Sequence, residues 1–268
     1  MPKVKINGVD IHYILEGEGE EVLVILNGIM MSANSWRDFV PTYVERGYRV
    51  LRVDFRDQGQ SGSSPDFYPT EQHAEDLKGL LDYLNLKKVN IYGISYGGRV
   101  AMIFAIRYQS YIKNLILANT TCDISNLIRS VGLSWEEAAK AYDGAFFLKI
   151  IQPFIYSHQY FEQSWDELKK QPEYFDKILD KEWFDRYIRL SRSGDTYDVT
   201  DQLGQITVPT LVILSEDDMV TPYADMIKIH EGIKGSNFIS IPNCGHGSFA
   251  EKPGELNTLI LGFLALHK

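Results

Sequence analysis

The sequence predicts an α/β fold: a mostly parallel eight-stranded sheet, helices on both faces, and an inserted helical cap. Three observations predict it. Short β-branched apolar runs alternate with amphipathic helical patterns, as in strand–helix–strand units. Several of those runs are apolar without a break, which suits strands covered on both faces. One stretch, residues 123–204, breaks the alternation and contains no convincing strand.

The first two strands, 4–6 and 9–15, read as a hairpin turned at Asn7-Gly8, a dipeptide that reaches positive φ readily. Six more fall at 22–26, 48–53, 89–92, 114–118, 211–214 and 238–241. Trp36, Phe39, Val40, Tyr43 and Val44 share one helical stripe, with Ser35 as its candidate cap and Gly47 at its end. Leu77, Leu80, Leu81 and Leu84 form a second stripe, and Val100, Ala101, Phe104, Ala105 and Tyr108 a third. Leu256, Leu259, Ile260, Phe263 and Leu264 form the last.

Residues 123–204 read as several short helices, interrupted at Pro153 and Pro172. They hold 15 of the aromatic residues, of which the chain has 13 Phe, 16 Tyr and 4 Trp. That concentration points to a helical cap set on a core made from residues 1–122 and 205–268.

Composition narrows the partners. The chain has 268 residues, 44% hydrophobic and 24% charged, with a net charge of −9. Such a balance disfavours nucleic acid and anionic membrane, which both reward Lys and Arg. Cys122 and Cys244 have no CxxC spacing and read as buried thiols of a reducing compartment. No apolar leader follows the N-terminus and no apolar run is long enough to span a membrane, so the expected location is the cytoplasm. There is no phosphate-binding G-x-x-x-x-G-K-[ST], no G-x-G-x-x-G after a strand and no metal-binding His or Cys set. The sequence implies no cofactor and no metal.

The chemistry concentrates at strand ends. Gly93-Ile94-Ser95-Tyr96-Gly97 matches G-x-S-x-G, a pattern that recurs by chance in about one chain in ten. Here it follows a strand and precedes a helix, the setting in which a strained turn lifts a serine hydroxyl above the sheet. Side chains two residues to either side would collide, hence the two glycines. The helix that starts after Ser95 points its positive end at the site.

A serine hydroxyl needs a base. Among six histidines, His246 lies in a loop between the last strand and the final helix, where loops of open α/β sheets converge. His12, His73, His230 and His267 read as packing or surface residues, and His158, in the cap, as structural with substrate contact as the alternative. The base needs a carboxylate to set its tautomer. Glu216, Asp217 and Asp218 crowd the end of strand 211–214, and Asp123 is a second choice after strand 114–118. Acyl transfer also needs two N–H donors for the developing oxyanion. Tyr96 supplies one, and Ile29, in the loop Asn27-Gly28-Ile29 after strand 22–26, supplies the other.

With those residues in place, the chain resembles the α/β-hydrolase superfamily along essentially its whole length. Asn27-Gly28-Ile29 resembles the family's H-G-x oxyanion loop. Residues 54–61 (DFRDQGQS) resemble its D-x-R-G-x-G-x-S loop. Residues 93–97 are similar to its nucleophile elbow, 215–222 to its G-x-x-D-x-x-x-P acid loop, and Gly245-His246 to its G-H. The resemblance selects Asp218, four residues before Pro222, as the acid. Asn27 stands where the family usually has His, and Asp57 and Ser215 where it usually has Gly. Serine at position 95, rather than aspartate, argues against a haloalkane dehalogenase. The pattern is most similar to esterase, enol-lactonase and cofactor-free haloperoxidase-like members.

The expected activity is cleavage of a small apolar ester, lactone or thioester through an acyl-enzyme on Ser95. The alternatives are an acyltransferase, C–C hydrolase or lyase on the same scaffold, and a ligand-binding protein that retains the three residues. Cap aromatics Trp135, Phe146, Phe147, Phe154, Trp165 and Trp183 are the candidates for an apolar substrate pocket.

Overall fold

Ile6 and Val9 face each other across a two-residue turn in which Asn7 and Gly8 both take positive φ, 46° and 83°. That turn twists β1 (Lys3–Ile6) and β2 (Val9–Glu16) into register as an antiparallel pair. The computed structural model describes residues 2–64 and 66–268. Six further strands follow: β3 (Glu21–Leu26), β4 (Tyr48–Val53), β5 (Val89–Ile94), β6 (Ile112–Ala118), β7 (Thr210–Ser215) and β8 (Asn237–Ile241). The order across the sheet is β1-β2-β4-β3-β5-β6-β7-β8, with the strands from β4 to β8 in that order parallel and β2 antiparallel to both its neighbours, β1 and β4.

The period of two explains both cores. Val22, Val24 and Leu26 of β3 face one layer, while Leu23 and Ile25 face the other. Leu115 and Leu117 of β6, and Val212 and Leu214 of β7, repeat that split against Ile116, Leu211 and Ile213. The first layer contains α2 (Glu71–Tyr83), α3 (Tyr96–Tyr108) and α9 (Tyr223–Gly232); the second contains α1 (Val40–Val44) and α11 (Pro253–Leu266). A short α10 (Ser248–Glu251) precedes α11.

The stripe from Trp36 to Val44 is not one helix. A 3₁₀ turn over Ala33–Trp36 precedes α1, and its N-cap is Ser32 rather than Ser35. Ser35 instead accepts the Ser32 N–H at 3.0 Å. Pro41 explains the break, since it lacks an N–H and is tolerated only in a helix's first turn. Gly47 does end the element, at φ 83°.

Between β6 and β7 lie α4 (Asn126–Ala139), α5 (Gly144–Ile155), α6 (His158–Leu168), α7 (Gln171–Ile178) and α8 (Lys181–Arg192). Ser125, Asp143, Ser157 and Asp180 cap α4, α5, α6 and α8 with side-chain oxygens. Pro153 interrupts nothing; it sits inside the last turns of α5, while Pro172 opens α7. This segment has its own apolar centre around Trp135, Phe147, Ile151, Phe184 and Tyr187, closed by Val220 and partly by Ile29 and Met30 from the core loops. Its two ends are held side by side: Asp123 pairs with Asp198 in an antiparallel bridge, and Val199 N–H donates to Cys122 O at 2.8 Å. Among the described residues no helix is long and apolar enough to cross a membrane.

Candidate active site

The strand order reverses between β3 and β5, because the chain leaves β3 for β4 on one side and returns to β5 on the other. Ligands of open α/β sheets bind outside the carboxyl ends of strands at such a point. Ser95 follows β5 and Gly28 follows β3, so both lie at the switch.

Ser95 is strained, with φ 52° and ψ −121°. Few non-glycine residues adopt positive φ, and those that do cluster at functional sites. Sterics hold the turn closed. A Cβ at Gly93 would come within 2.6 Å of Gly97 O, and one at Gly97 within 2.2 Å of Leu26 O. The Ser95 N–H donates to Ala118 O at 3.0 Å, and its carbonyl accepts from Thr120 Oγ1 at 2.6 Å.

His246 Nε2 lies 2.9 Å from Ser95 Oγ, and His246 Nδ1 lies 2.8 Å from Asp218 Oδ2. An ionised carboxylate only accepts, so Nδ1 carries the proton and Nε2 is left to accept from the hydroxyl. Asp218 is buried and densely held. Val220 and Thr221 N–H both donate to Oδ1 at 2.8 Å, while Thr221 Oγ1 (2.7 Å) and Asn119 Nδ2 (2.8 Å) donate to Oδ2. Burial acts to raise its pKa, yet His246 and the Thr221 N–H and hydroxyl outweigh burial and hold it below the ordinary Asp value. Asp123, the second choice for the acid, is elsewhere and ion-paired to Lys228 at 2.9 Å.

Asn27 is buried and acts as a three-way brace. Its Nδ2 donates to Val53 O at 2.6 Å and Gln58 Oε1 at 2.9 Å, and its Oδ1 accepts from Trp36 Nε1 at 2.8 Å. Gln58 Nε2 in turn donates to Gly28 O at 2.8 Å, and Met31 N–H donates to the same oxygen at 3.1 Å. The described chain has no cis peptide bond. With the Gly28 carbonyl turned to Gln58, planarity sends the Ile29 N–H to the opposite side. A Cβ at Gly28 would lie 3.7 Å from Ser95 Cβ, so this loop runs directly against the serine. Tyr96 opens α3, where an N–H has no partner within the helix.

A cavity of about 350 Å³ opens on Ser95 and His246, lined mainly by apolar groups including Ile29, Met31, Trp135, Leu148 and Phe175. A smaller chamber of about 100 Å³, also touching Ser95, Ile29 and Trp135, continues past Tyr96 and Arg99. Most of the aromatic candidates are placed elsewhere. Phe147 is 1% exposed and packs on Trp183, Phe184 and Tyr187 in the centre of the helical segment. Phe154 packs edge-on against Trp135 behind the wall, and Phe146 and Trp165 face outward at 45% and 55% exposure. Trp183 borders a separate depression with Met30 and Asp57. Only Trp135 of the six lines the Ser95 cavity. A five-helix segment needs a core of its own, and its largest rings go there first.

Three contributors escaped sequence reading. Asn119, at φ 46°, reaches Asp218 from the end of β6 and accepts from Ser215 Oγ at 3.2 Å. Gln58 turns the Gly28 peptide. Glu251 accepts from Gly245 N–H (3.1 Å), Ser157 N–H (3.0 Å) and Ser157 Oγ (2.6 Å), tying the His246 loop to α6. The only advance signal for Asn119 was an Asn placed directly after a buried strand.

A strained serine joined through an imidazole to a buried carboxylate, on a parallel sheet at its switch point, defines a class of hydrolase. The family model for the alpha/beta hydrolase fold matches residues 21–253, and the chain belongs to that family. It is similar to MGS-M2, an alpha/beta hydrolase enzyme from a Medee basin deep-sea metagenome library, with a TM-score of 0.95 and 37% identity over 98% of this chain and 97% of that one. The enol-lactonase from Burkholderia xenovorans LB400 superposes with a TM-score of 0.87 at 25% identity, over 98% and 100%. Among curated relatives, a 2-hydroxy-6-oxononadienedioate/2-hydroxy-6-oxononatrienedioate hydrolase of Pseudomonas sp is 26% identical over 97% of this chain and 93% of its own.

Proposed function

We propose that this hydrolase cleaves a carboxylic ester, lactone or thioester of a small molecule through an acyl-enzyme on Ser95. The observation that carries the reading is the unbroken hydrogen-bond chain from Asp218 through His246 to Ser95 Oγ, at 2.8 and 2.9 Å. Ser95 Oγ attacks the carbonyl carbon while His246 Nε2 takes the hydroxyl proton. Asp218 stays ionised and stabilises the imidazolium. The oxyanion is held by the N–H groups of Ile29 and Tyr96, fixed in advance and therefore needing no reorganisation. His246 returns the proton to the leaving oxygen or sulfur, and water then repeats the sequence to free the acid. The apolar cavity, with Trp135 in its wall, supports an apolar substrate arm.

A C–C hydrolase on the same residues is the second reading, favoured by the likeness to the Pseudomonas dienedioate hydrolase. Product analysis separates the two: an ester panel gives acid plus alcohol, whereas a vinylogous diketone acid gives two carbon fragments.

Ser95→Ala tests both. Turnover of an activated ester should fall by about three orders of magnitude or more. A fluorophosphonate should add one mass increment to the wild type, at Ser95, and none to the variant. Near-normal turnover in Ser95→Ala removes the serine from the mechanism.

A further inference from the structure

The smaller chamber holds a cation without a partner. Arg99 lies four residues beyond Ser95 on α3, about 6 Å along the axis at 1.5 Å per residue. Its side chain lines the chamber that Ser95 also lines. Among the described residues its guanidinium makes no hydrogen bond and no ion pair, and its Nε is buried with nothing to donate to. The rings of Tyr96 and Tyr197 flank it, with centroids 6.0 and 5.8 Å from the guanidinium carbon. These rings fix its position without using its donors. Gly194 keeps the space open, since a Cβ there would come within 3.0 Å of Arg99 Nη1.

None of the acids nearby forms an ion pair with Arg99. Glu136 lines the chamber but is held by Arg192 Nη2 and Nε at 2.6 and 3.0 Å, and by Lys140 at 2.9 Å. Asp123 belongs to Lys228. Asp195 lines the chamber and Asp225, whose Oδ2 is buried without a partner, acts on Arg99 only through space; neither pairs with it. Arg129, the remaining charged wall residue, spends one donor on Asp195 O at 3.4 Å. A buried polar group is ordinarily paired, yet Arg99 Nε is buried with no partner while the side chain as a whole is half-buried in the chamber wall; guanidinium offers five donors in a planar fork that matches a carboxylate.

We propose that Arg99 is a carboxylate-binding residue, and that the substrate is an ester or lactone with a second, ionised carboxyl group a few bonds from the reacting carbonyl. The proposal rests on the serine-hydrolase reading above. The apolar arm then occupies the larger cavity, the carboxylate enters the smaller one, and Ser95 stands between them.

Two matched pairs test it. Monomethyl glutarate is compared with methyl glutaramate, and 3-acetoxypropanoate with 3-acetoxypropanamide, so that the charge sits on the acyl side in one pair and the alcohol side in the other. The wild type should prefer the charged member of at least one pair. Arg99→Gln should lower that kcat/KM ratio by about 10- to 100-fold, the usual effect of losing a charged hydrogen-bond pair, and Arg99→Lys should restore part of it. Calorimetric binding of glutarate should weaken in parallel. Equal use of both members in the wild type, or a ratio unchanged in Arg99→Gln, overturns the subsite. If Ser95→Ala abolishes methyl glutaramate turnover in that event, serine hydrolysis stands and the subsite alone is wrong. If Ser95→Ala turns over normally, the mechanism is wrong, and glutarate binding that depends on Arg99 still upholds the subsite.

Discussion

Gln58 Nε2 donates to the Gly28 carbonyl at 2.8 Å across thirty residues of sequence, and so sets the direction of the Ile29 N–H. The usual family His is Asn27 here, and Asn27 donates to Gln58 and Val53 and accepts from Trp36. On the proposed mechanism, the oxyanion geometry would therefore depend on an amide–amide pair. Gln58→Leu frees the peptide to rotate, and an interaction felt only in the transition state is weakened. Its kcat should fall about 10- to 100-fold while KM stays within about threefold. An equal rise in KM with kcat intact would contradict this role.

Asp57 takes the left-handed conformation, φ 61°, at a position where the family usually has glycine. Its carboxylate is fully buried and accepts from Arg189 Nη2 at 2.7 Å and Tyr68 Oη at 2.9 Å, joining the core loop to α8. Removing Arg189 strands a buried charge, whereas removing the carboxylate leaves an arginine that can turn to water. Arg189→Met should cost about 3 kcal/mol in urea unfolding and Asp57→Gly less than about 1, because glycine also relieves the backbone. The reverse ranking would refute the clamp.

Phe147 supports the helical segment and not the substrate. Phe147→Ala should lose about 3–5 kcal/mol of stability, since it leaves a ring-sized cavity, with KM for apolar esters little changed below the melting range. Trp135→Ala should change KM for those esters. Both are read by thermal melting and steady-state kinetics on the same preparations.

His73 is buried against Phe55, Tyr68 and Tyr96, with neither ring nitrogen hydrogen-bonded. Burial first, and the nearby Arg56 second, push its pKa down to about 3. Between about pH 6.5 and 3 the unfolded chain binds a proton at His73 that the folded chain refuses, so stability falls as pH drops through that window. His73→Phe should remove about 2 kcal/mol of the loss between pH 7 and pH 5. Identical acid limbs in urea titrations of the two proteins would exclude His73 as the source.

Much of the frame was legible because period-two apolar runs and glycines carry strong local physics. All eight strands lie where those runs fall, extended by one or two residues at several ends, and Gly93 and Gly97 meet backbone at distances only glycine permits. Positions that gain meaning through partners far along the chain were not legible. Asn119 serves Asp218 from 99 residues away, and Glu251 reaches Ser157 from 94. The aromatic positions 146, 147, 154 and 183 share composition with pocket walls, and only three-dimensional packing tells a wall from a core. Pro41 has a local rule of its own, and following it would have split the stripe at 36–44.

Because Cys122 and Val199 are joined by a backbone hydrogen bond, more than seventy residues leave and rejoin the sheet through a single doorway. A graft made at that doorway closes a gap the width of one strand pair, whatever its length. Helices from a relative could be transplanted between positions 122 and 199, with Ser157 and Arg189 kept for their bonds to Glu251 and Asp57, to give a hybrid with different helices on the same sheet, a route by which selection can exchange one part of the chain without rebuilding the other.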